Sequence, residues 1–201
     1  MAACSRGSAC EKGGQWQPAL GLLAGMRHNV LPPNVISYNS AISACETGGQ
    51  WQHALGLLLG MQHNDVLPDV INYSSAISAC ARGGQWQHAL GLLVEMRHND
   101  SLPDVVSCSS GISACAKDGQ WQHSLGLLVG MRRNDVLPNV FNYNSTNSAC
   151  DKGGQKQHAL GLLVGSRQND LLPNVISYSS AISACVKGGQ RQHALGRLVG
   201  M

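Results

Sequence analysis

Apolar side chains along this chain fall into two helical stripes that return together every 35 residues. In "VISYNSAISACETGG", which opens at Val35, the apolar or small positions Ile36, Tyr38, Ala41, Ile42 and Cys45 lie near helical spacing. Gly48 and Gly49 follow, where glycine ends a last turn. In "QWQHALGLLLGMQHND", Trp51, Ala54, Leu55, Leu58 and Met61 make a second stripe. An earlier copy of that segment carries Pro18 near its start, and proline is tolerated in the first turn of a helix but not deeper. Pro68, Pro103, Pro138 and Pro173 stop any continuation. The pattern predicts two helices of roughly twelve residues in each unit.

The register does not slip. "GGQWQHALGLL" occupies 48–58 and recurs unchanged at 83–93, with near copies opening at Gly13, Asp118, Gly153 and Gly188. Units framed to begin at valine give complete repeats 35–69, 70–104, 105–139 and 140–174, with partial repeats at 1–34 and 175–201. A lone pair of such helices cannot bury both apolar faces, so neighbours must stack. The expected fold class is all-α, an α-solenoid superhelix of stacked helix-turn-helix repeats. The glycine columns at Gly56 and Gly60 each cost ~1 kcal/mol relative to alanine, which makes the second helix dependent on its neighbours. Repeat 140–174 is expected to be the weakest. Asn147 replaces the isoleucine of Ile42, Ile77, Ile112 and Ile182, and Ser166 replaces the methionine seen at Met61. Arg197 stands in the leucine column of Leu57, Leu92, Leu127 and Leu162.

Composition narrows the function classes. The chain has 201 residues, a net charge of +3, 43% hydrophobic residues, 12% charged and 4% aromatic. The apolar share is enough for a core, while charge and aromatics are low for a compact enzyme. No apolar run approaches the ~18 residues of a membrane span. The opening "MAACSRGSACEKGG" lacks a secretory layout and already lies inside the repeat, so no transit peptide is visible. The weak positive balance permits a polyanionic partner without demanding one.

Cys10, Cys45, Cys80, Cys115, Cys150 and Cys185 recur once per unit, with Cys4 and Cys108 extra. One cysteine per repeat in one setting reads as a small buried apolar side chain rather than a disulfide framework. His53, His88, His123, His158 and His193 follow at a fixed spacing, but the short paired ligands of a zinc site are absent, so neither metal nor cofactor is expected. Trp16, Trp51, Trp86 and Trp121 give way to Lys156 and Arg191, which suits packing between repeats. No Ser/His/Asp set or pair of carboxylates stands apart from the repeats, and no enzymatic role is expected.

The unit resembles the pentatricopeptide repeat over essentially the whole chain. Tyr38-Asn39, Ala54-Leu55, Met61 and Pro68-Asp69 sit where that family's consensus expects them. The opening GGQWQH and the glycines at 56 and 60 depart from it. The alternative is a tetratricopeptide-like scaffold for protein–protein contact. Its period is 34 residues, and the unbroken 35-residue spacing and the Tyr-Asn and Pro-Asp marks argue against it.

The resemblance implies sequence-specific binding of single-stranded RNA, one base per repeat. Bases would be read by the fifth and last residues: Asn39 with Asp69, Ser74 with Asp104, Ser109 with Asn139, Asn144 with Asn174, and Ser179 in the last partial unit. These columns vary among Asn, Ser and Asp while the scaffold around them stays nearly constant. The residues alone fit helix caps and turns equally well. The second residues, Ile36, Ile71, Val106, Phe141 and Ile176, would pack against bases, and ordinary core packing is the other use for them. Lys12, Arg82, Lys117, Lys152 and Lys187 would meet phosphates, with Thr47 the exception; near the end of the first helix they also complement its dipole. The family's base preferences give a core target of 5′-U-G-A-Y-3′. The family's setting implies organellar RNA processing, stability or translation, in a chloroplast or mitochondrion. Both ends fall inside a unit, so the expectation is a longer parent array or self-association.

Overall fold

The structure, a computed structural model, describes residues 15–29 and 31–187. Among them are ten α-helices and no strand: α1 (Trp16–His28), α2 (Val35–Thr47), α3 (Trp51–Gln62), α4 (Val70–Arg82), α5 (Trp86–His98), α6 (Val105–Lys117), α7 (Trp121–Arg133), α8 (Val140–Lys152), α9 (Lys156–Arg167) and α10 (Val175–Lys187). Even-numbered helices are the first of a repeat, odd-numbered ones the second. The chain forms two compact units that part after Ser110, inside α6. In the first unit α2 packs on α1, α3 and α4, and α4 also packs on α3 and α5. In the second, α8 packs on α7, α9 and α10, and α9 packs on α10. Each of α3 and α9 is thus held between its own first helix and the next repeat's, the packing of an α-solenoid.

The core follows the stripes, with one correction. Tyr38, Ala41, Ile42 and Cys45 are buried, as are Ala54, Leu58 and Met61 of the following helix. Ile36, counted above with the core stripe, is exposed. It precedes Tyr38 by two residues, which turns it about 200° round the helix.

The double glycine has two separate causes. The first glycine of each pair lies under a tryptophan of the preceding repeat. A β-carbon on Gly48 would stand 2.6 Å from Cδ1 of Trp16, and Gly83 meets Trp51 in the same way. The second glycine takes a left-handed backbone, with φ +66° at Gly49, and the N–H of Gln50 then donates to the carbonyl of Cys45 at 2.8 Å. That closes the first helix with a glycine-dependent C-cap. The same indoles also reach the next repeat's histidine: ring centroids are 4.9 Å apart for Trp16 and His53, and 4.7 Å for Trp121 and His158. The tryptophans therefore do serve packing between repeats.

The second helices end on a similar turn, but with aspartate in the left-handed position, at Asp65, Asp100, Asp135 and Asp170. Asparagine and aspartate are the non-glycine residues that accept this conformation best, so the turn forms without a glycine to mark it. Repeat 140–174 carries the polar core foreseen for it. Asn147 is buried, its Nδ2 donates to the carbonyl of Ser177 at 2.9 Å, and its Oδ1 has no hydrogen-bond partner among the described residues. Buried Thr146 finds Ser124 at 3.0 Å. Ser166, buried in the methionine column, turns its hydroxyl to the carbonyl of Leu163 at 2.9 Å. Arg197 lies outside the described residues. No described helix is long and apolar enough to cross a membrane.

Candidate nucleic-acid interface

Each first helix starts on a polar cap, and the cap is the closing residue of the repeat before it. Asn34 accepts from the N–H of Ser37 at 3.0 Å, Asp69 from Asn72 at 2.9 Å, Asp104 from Ser107 at 2.8 Å, Asn139 from Asn142 at 3.1 Å and Asn174 from Ser177 at 3.1 Å. Three caps are reciprocal: the N–H of Asp69 donates to Asn72 Oδ1 at 2.9 Å, the N–H of Asn139 to Asn142 Oδ1 at 2.8 Å and the N–H of Asn174 to Ser177 Oγ at 3.1 Å. The turn chemistry weighed for these residues is therefore present. It does not exhaust them. At Asp69 and Asp104 the cap uses Oδ1, and Oδ2 accepts no hydrogen bond among the described residues.

The fifth residues lie one turn into the same helices, three positions after the second residues and so on the same face. The second residues Ile36, Ile71, Val106, Phe141 and Ile176 are 53–61% exposed. Core packing is thus ruled out for this column, which places one uncovered apolar side chain on every first helix. In the fifth-residue column Ser74 and Asn144 are buried, at 8% and 9% exposed, and Asn39 and Ser109 are half-buried.

Fifth and closing residues come together in two of the four pairs. Ser74 Oγ donates to Asp104 Oδ1 at 3.4 Å, and Asn144 Nδ2 to Asn174 Oδ1 at 3.2 Å. Asn39 and Asp69 are linked through Asn72, whose Nδ2 donates to Asn39 Oδ1 and whose backbone N–H is capped by Asp69. Ser109 belongs to the first unit and Asn139 to the second; the Ser109 hydroxyl donates to the carbonyl of Val105 in its own helix. Ser179 is exposed.

Sequence reasoning missed the third residues, Ser37, Asn72, Ser107, Asn142 and Ser177. The signal was there: a Ser or Asn stands three places after every closing residue, which is capping-box spacing.

The basic column is exposed at Arg82, Lys117 and Lys152. Lys152 Nζ donates to the carbonyl of Lys117 at 2.8 Å. Its charge therefore serves the C-terminus of the preceding repeat's first helix, rather than only its own helix. Lys12 and the side chain of Lys187 lie outside the described residues. A second basic set, at the last turns of α1, α5, α7 and α9, includes Arg27, Arg97, Arg132 and Arg167. Arg27 Nη2 donates to the Tyr38 hydroxyl at 2.6 Å, so part of this set is committed to structure.

Cys45, Cys80, Cys108, Cys115, Cys150 and Cys185 are buried and unbridged. Burial pushes the thiols of Cys45, Cys80, Cys108, Cys115 and Cys150 up to about 11. Cys4, Cys10 and His193 lie outside the described residues. Among the described residues no group of three His, Cys, Asp or Glu side chains converges as a metal site.

Comparison with known proteins places the repeat. The "PPR repeat family" profile matches residues 33–82, the "PPR repeat" profile 71–101, and the "Pentatricopeptide repeat domain" profile 92–153 and 126–188. Curated protein sequences give no match. Among solved structures, the pentatricopeptide repeat protein PPR10 from maize is similar at 23% identity and a TM-score of 0.70, over 98% of this chain and 29% of that one. The same protein in complex with an 18-nt psaJ RNA element gives 24% identity and a TM-score of 0.68, over 100% of this chain and 28% of that one. This chain thus spans less than a third of the maize protein's length. The PPR domain of Arabidopsis thaliana protein-only RNase P 1, in complex with tRNA, is 13% identical with a TM-score of 0.78, over 90% of this chain and 95% of that one. These structures share the fold. Repeat profiles that tile residues 33–188, on helix pairs that begin every 35 residues, show that the chain belongs to the pentatricopeptide repeat family.

Proposed function

We propose that this chain binds single-stranded RNA in a sequence-dependent way, each repeat addressing one base. The observation that carries the proposal is the exposed apolar second residue standing one helical turn from a hydrogen-bonded polar pair, as at Ile71 with Ser74 and Asp104. An apolar side chain left in water beside polar atoms suits a base, which offers a flat apolar face and a hydrogen-bonding edge. The RNA and tRNA in the two relatives support an RNA ligand for this chain.

On this reading Asn39 with Asp69 selects U, Ser74 with Asp104 G, Ser109 with Asn139 A, and Asn144 with Asn174 a pyrimidine. The core target is 5′-U-G-A-Y-3′. Arg82, Lys117 and Lys152 follow the phosphates, together with Lys12 and Lys187. The chain then acts without catalysis of its own, in RNA processing, stability or translation in a chloroplast or mitochondrion. Selection from a random single-stranded RNA pool tests the proposal: enrichment of U-G-A-Y is expected, and a pool that emerges unenriched overturns it.

A protein-binding scaffold is the second reading, favoured by Leu67, Leu102, Leu137 and Leu172, which are 78–84% exposed in the loops before the capping residues. The same selection separates the two, because a scaffold retains no RNA at low salt.

A further inference from the structure

Asn72 is fully buried, yet it touches both members of the first reading pair. Its backbone N–H donates to Asp69 Oδ1, its Oδ1 accepts from the N–H of Asp69, and its Nδ2 donates to Asn39 Oδ1. The direction of this chain of bonds is forced. A backbone N–H only donates, so the amide atom of Asn72 that faces it must be the oxygen. The atom facing Asn39 is then the NH₂ group, which only donates, so Asn39 must turn its own oxygen inward. Its NH₂ group is left facing outward, with no partner among the described residues.

The second unit repeats the arrangement with a different residue. The N–H of Asn174 donates to Ser177 Oγ at 3.1 Å, and the Ser177 hydroxyl donates to Asn144 Oδ1, with Asn174 Oδ1 a second acceptor at 3.2 Å. Asn144 also turns its oxygen inward, and its Nδ2 reaches Asn174.

We infer that, where the fifth residue of a repeat is asparagine, as at Asn39 and Asn144, the third residue of the next repeat sets which of its atoms faces the base, and so acts as a specificity-determining positioning residue. The inference rests on the RNA-binding reading above. At Asn39 it leaves an outward N–H donor in the same pair as Asp69 Oδ2, an acceptor. Donor with acceptor fits a base edge that carries a carbonyl oxygen next to a ring N–H, as uracil does. Cytosine, with an amino group next to a bare ring nitrogen, presents the reverse.

The test is a pair of substitutions read by base preference rather than by total affinity. Asn72→Ser supplies a hydroxyl that can accept from Asp69 and donate to Asn39, as Ser177 does for its own pair. Asn72→Asp keeps the acceptor for the Asp69 N–H but offers Asn39 a second acceptor. Asn39 must then turn round and face its oxygen outward. With RNAs that differ only at the base opposite Asn39, the U-over-C affinity ratio should stay within about twofold in Asn72→Ser. It should fall by about tenfold in Asn72→Asp, with the other bases read as before. Uniform weakening of all RNAs by Asn72→Asp, or equal loss of preference in both variants, overturns the inference while RNA binding stands. Ser177→Ala is an independent probe that removes one hydroxyl. It should relax the pyrimidine preference opposite Asn144 by about fivefold, the worth of one hydrogen bond. An unchanged preference there overturns the inference even where the aspartate variant fails to fold. If the unaltered chain binds no RNA, the underlying reading falls and takes this one with it.

Discussion

A β-carbon placed on Gly153 would stand 2.6 Å from Cδ1 of Trp121, one repeat earlier in the chain. No ordinary contact is that short, so Gly153→Ala forces the indole or the helix end to move. The expected cost is about 1–3 kcal/mol of stability, as for other overpacked sites. Gly161→Ala, in the same unit, meets nothing within 4 Å and should instead stabilise by about 1 kcal/mol through helix propensity. Denaturant melts of the two variants should shift in opposite directions. A shift of the same sign would mean that the indole does not hold Gly153.

Asn147 marks the soft repeat. Its Oδ1 is buried without a partner, whereas Ile42, Ile77 and Ile112 fill the same position with carbon. Asn147→Ile should raise stability by about 1–3 kcal/mol, since removing an unsatisfied polar atom recovers its desolvation cost. A melting temperature that falls would show that the bond from Nδ2 to the Ser177 carbonyl outweighs the orphaned oxygen.

The cysteines make a pH-dependent contribution. Burial lifts their folded-state value from near 9 to about 11. A raised value favours the folded state while the thiol is protonated. That stability is complete below pH 9 and is lost as pH climbs towards 11. Alkylation of the native chain at pH 8 should be slow, because the reactive thiolate is scarce and enclosed. The denatured, unreduced chain should take up eight alkyl groups, one for each cysteine. Rapid native alkylation at Cys45 or Cys80 would contradict the burial.

Salt should report on the basic column. Each phosphate neutralised on a single strand adds roughly −0.7 to the slope of log K against log salt. Replacing Lys117 and Lys152 with alanine should flatten that slope and weaken all sequences alike. Lys152 also donates to the Lys117 carbonyl, so melts must accompany the titrations. An unchanged slope would leave both lysines with helix ends alone.

Base identity at the second repeat should follow Asp104. Asp104→Asn keeps an oxygen for the N–H of Ser107 and so keeps the helix cap. It exchanges the second carboxylate oxygen for a donor, which should move preference from G towards A and leave the other bases alone. Equal weakening of every RNA would mean that Asp104 is only a cap.

Helix positions, the buried faces of Tyr38, Ala41, Ile42 and Cys45, and the polar core around Asn147 were legible because they depend on local periodicity and on comparing one column with itself. The indole over Gly153 was not, since it joins residues 32 apart in the chain. Nor was the exposure of Ile36, where an apolar residue near a helical stripe was counted with it. For the candidate site, the capping by Asp69 and Asn139 could be stated in advance, beside the base reading that remains a proposal. The ties that Asn72 and Ser177 make within the Asn39/Asp69 and Asn144/Asn174 pairs emerge only in the fold, because hydrogen-bond direction cannot be seen in a list of residue types.

The bond from Asn72 to Asn39 crosses a repeat boundary, and that bears on how such arrays are copied. A duplication or graft cut at the valine boundaries carries a repeat's own fifth and closing residues but leaves behind the neighbour that orients them. On the proposed RNA-binding reading, a transplanted unit then takes its base preference from whatever follows it, much as a letter is pronounced according to the next one. On that reading the recognition module is offset from the visible repeat: it runs past the closing residue into the first turn of the next helix.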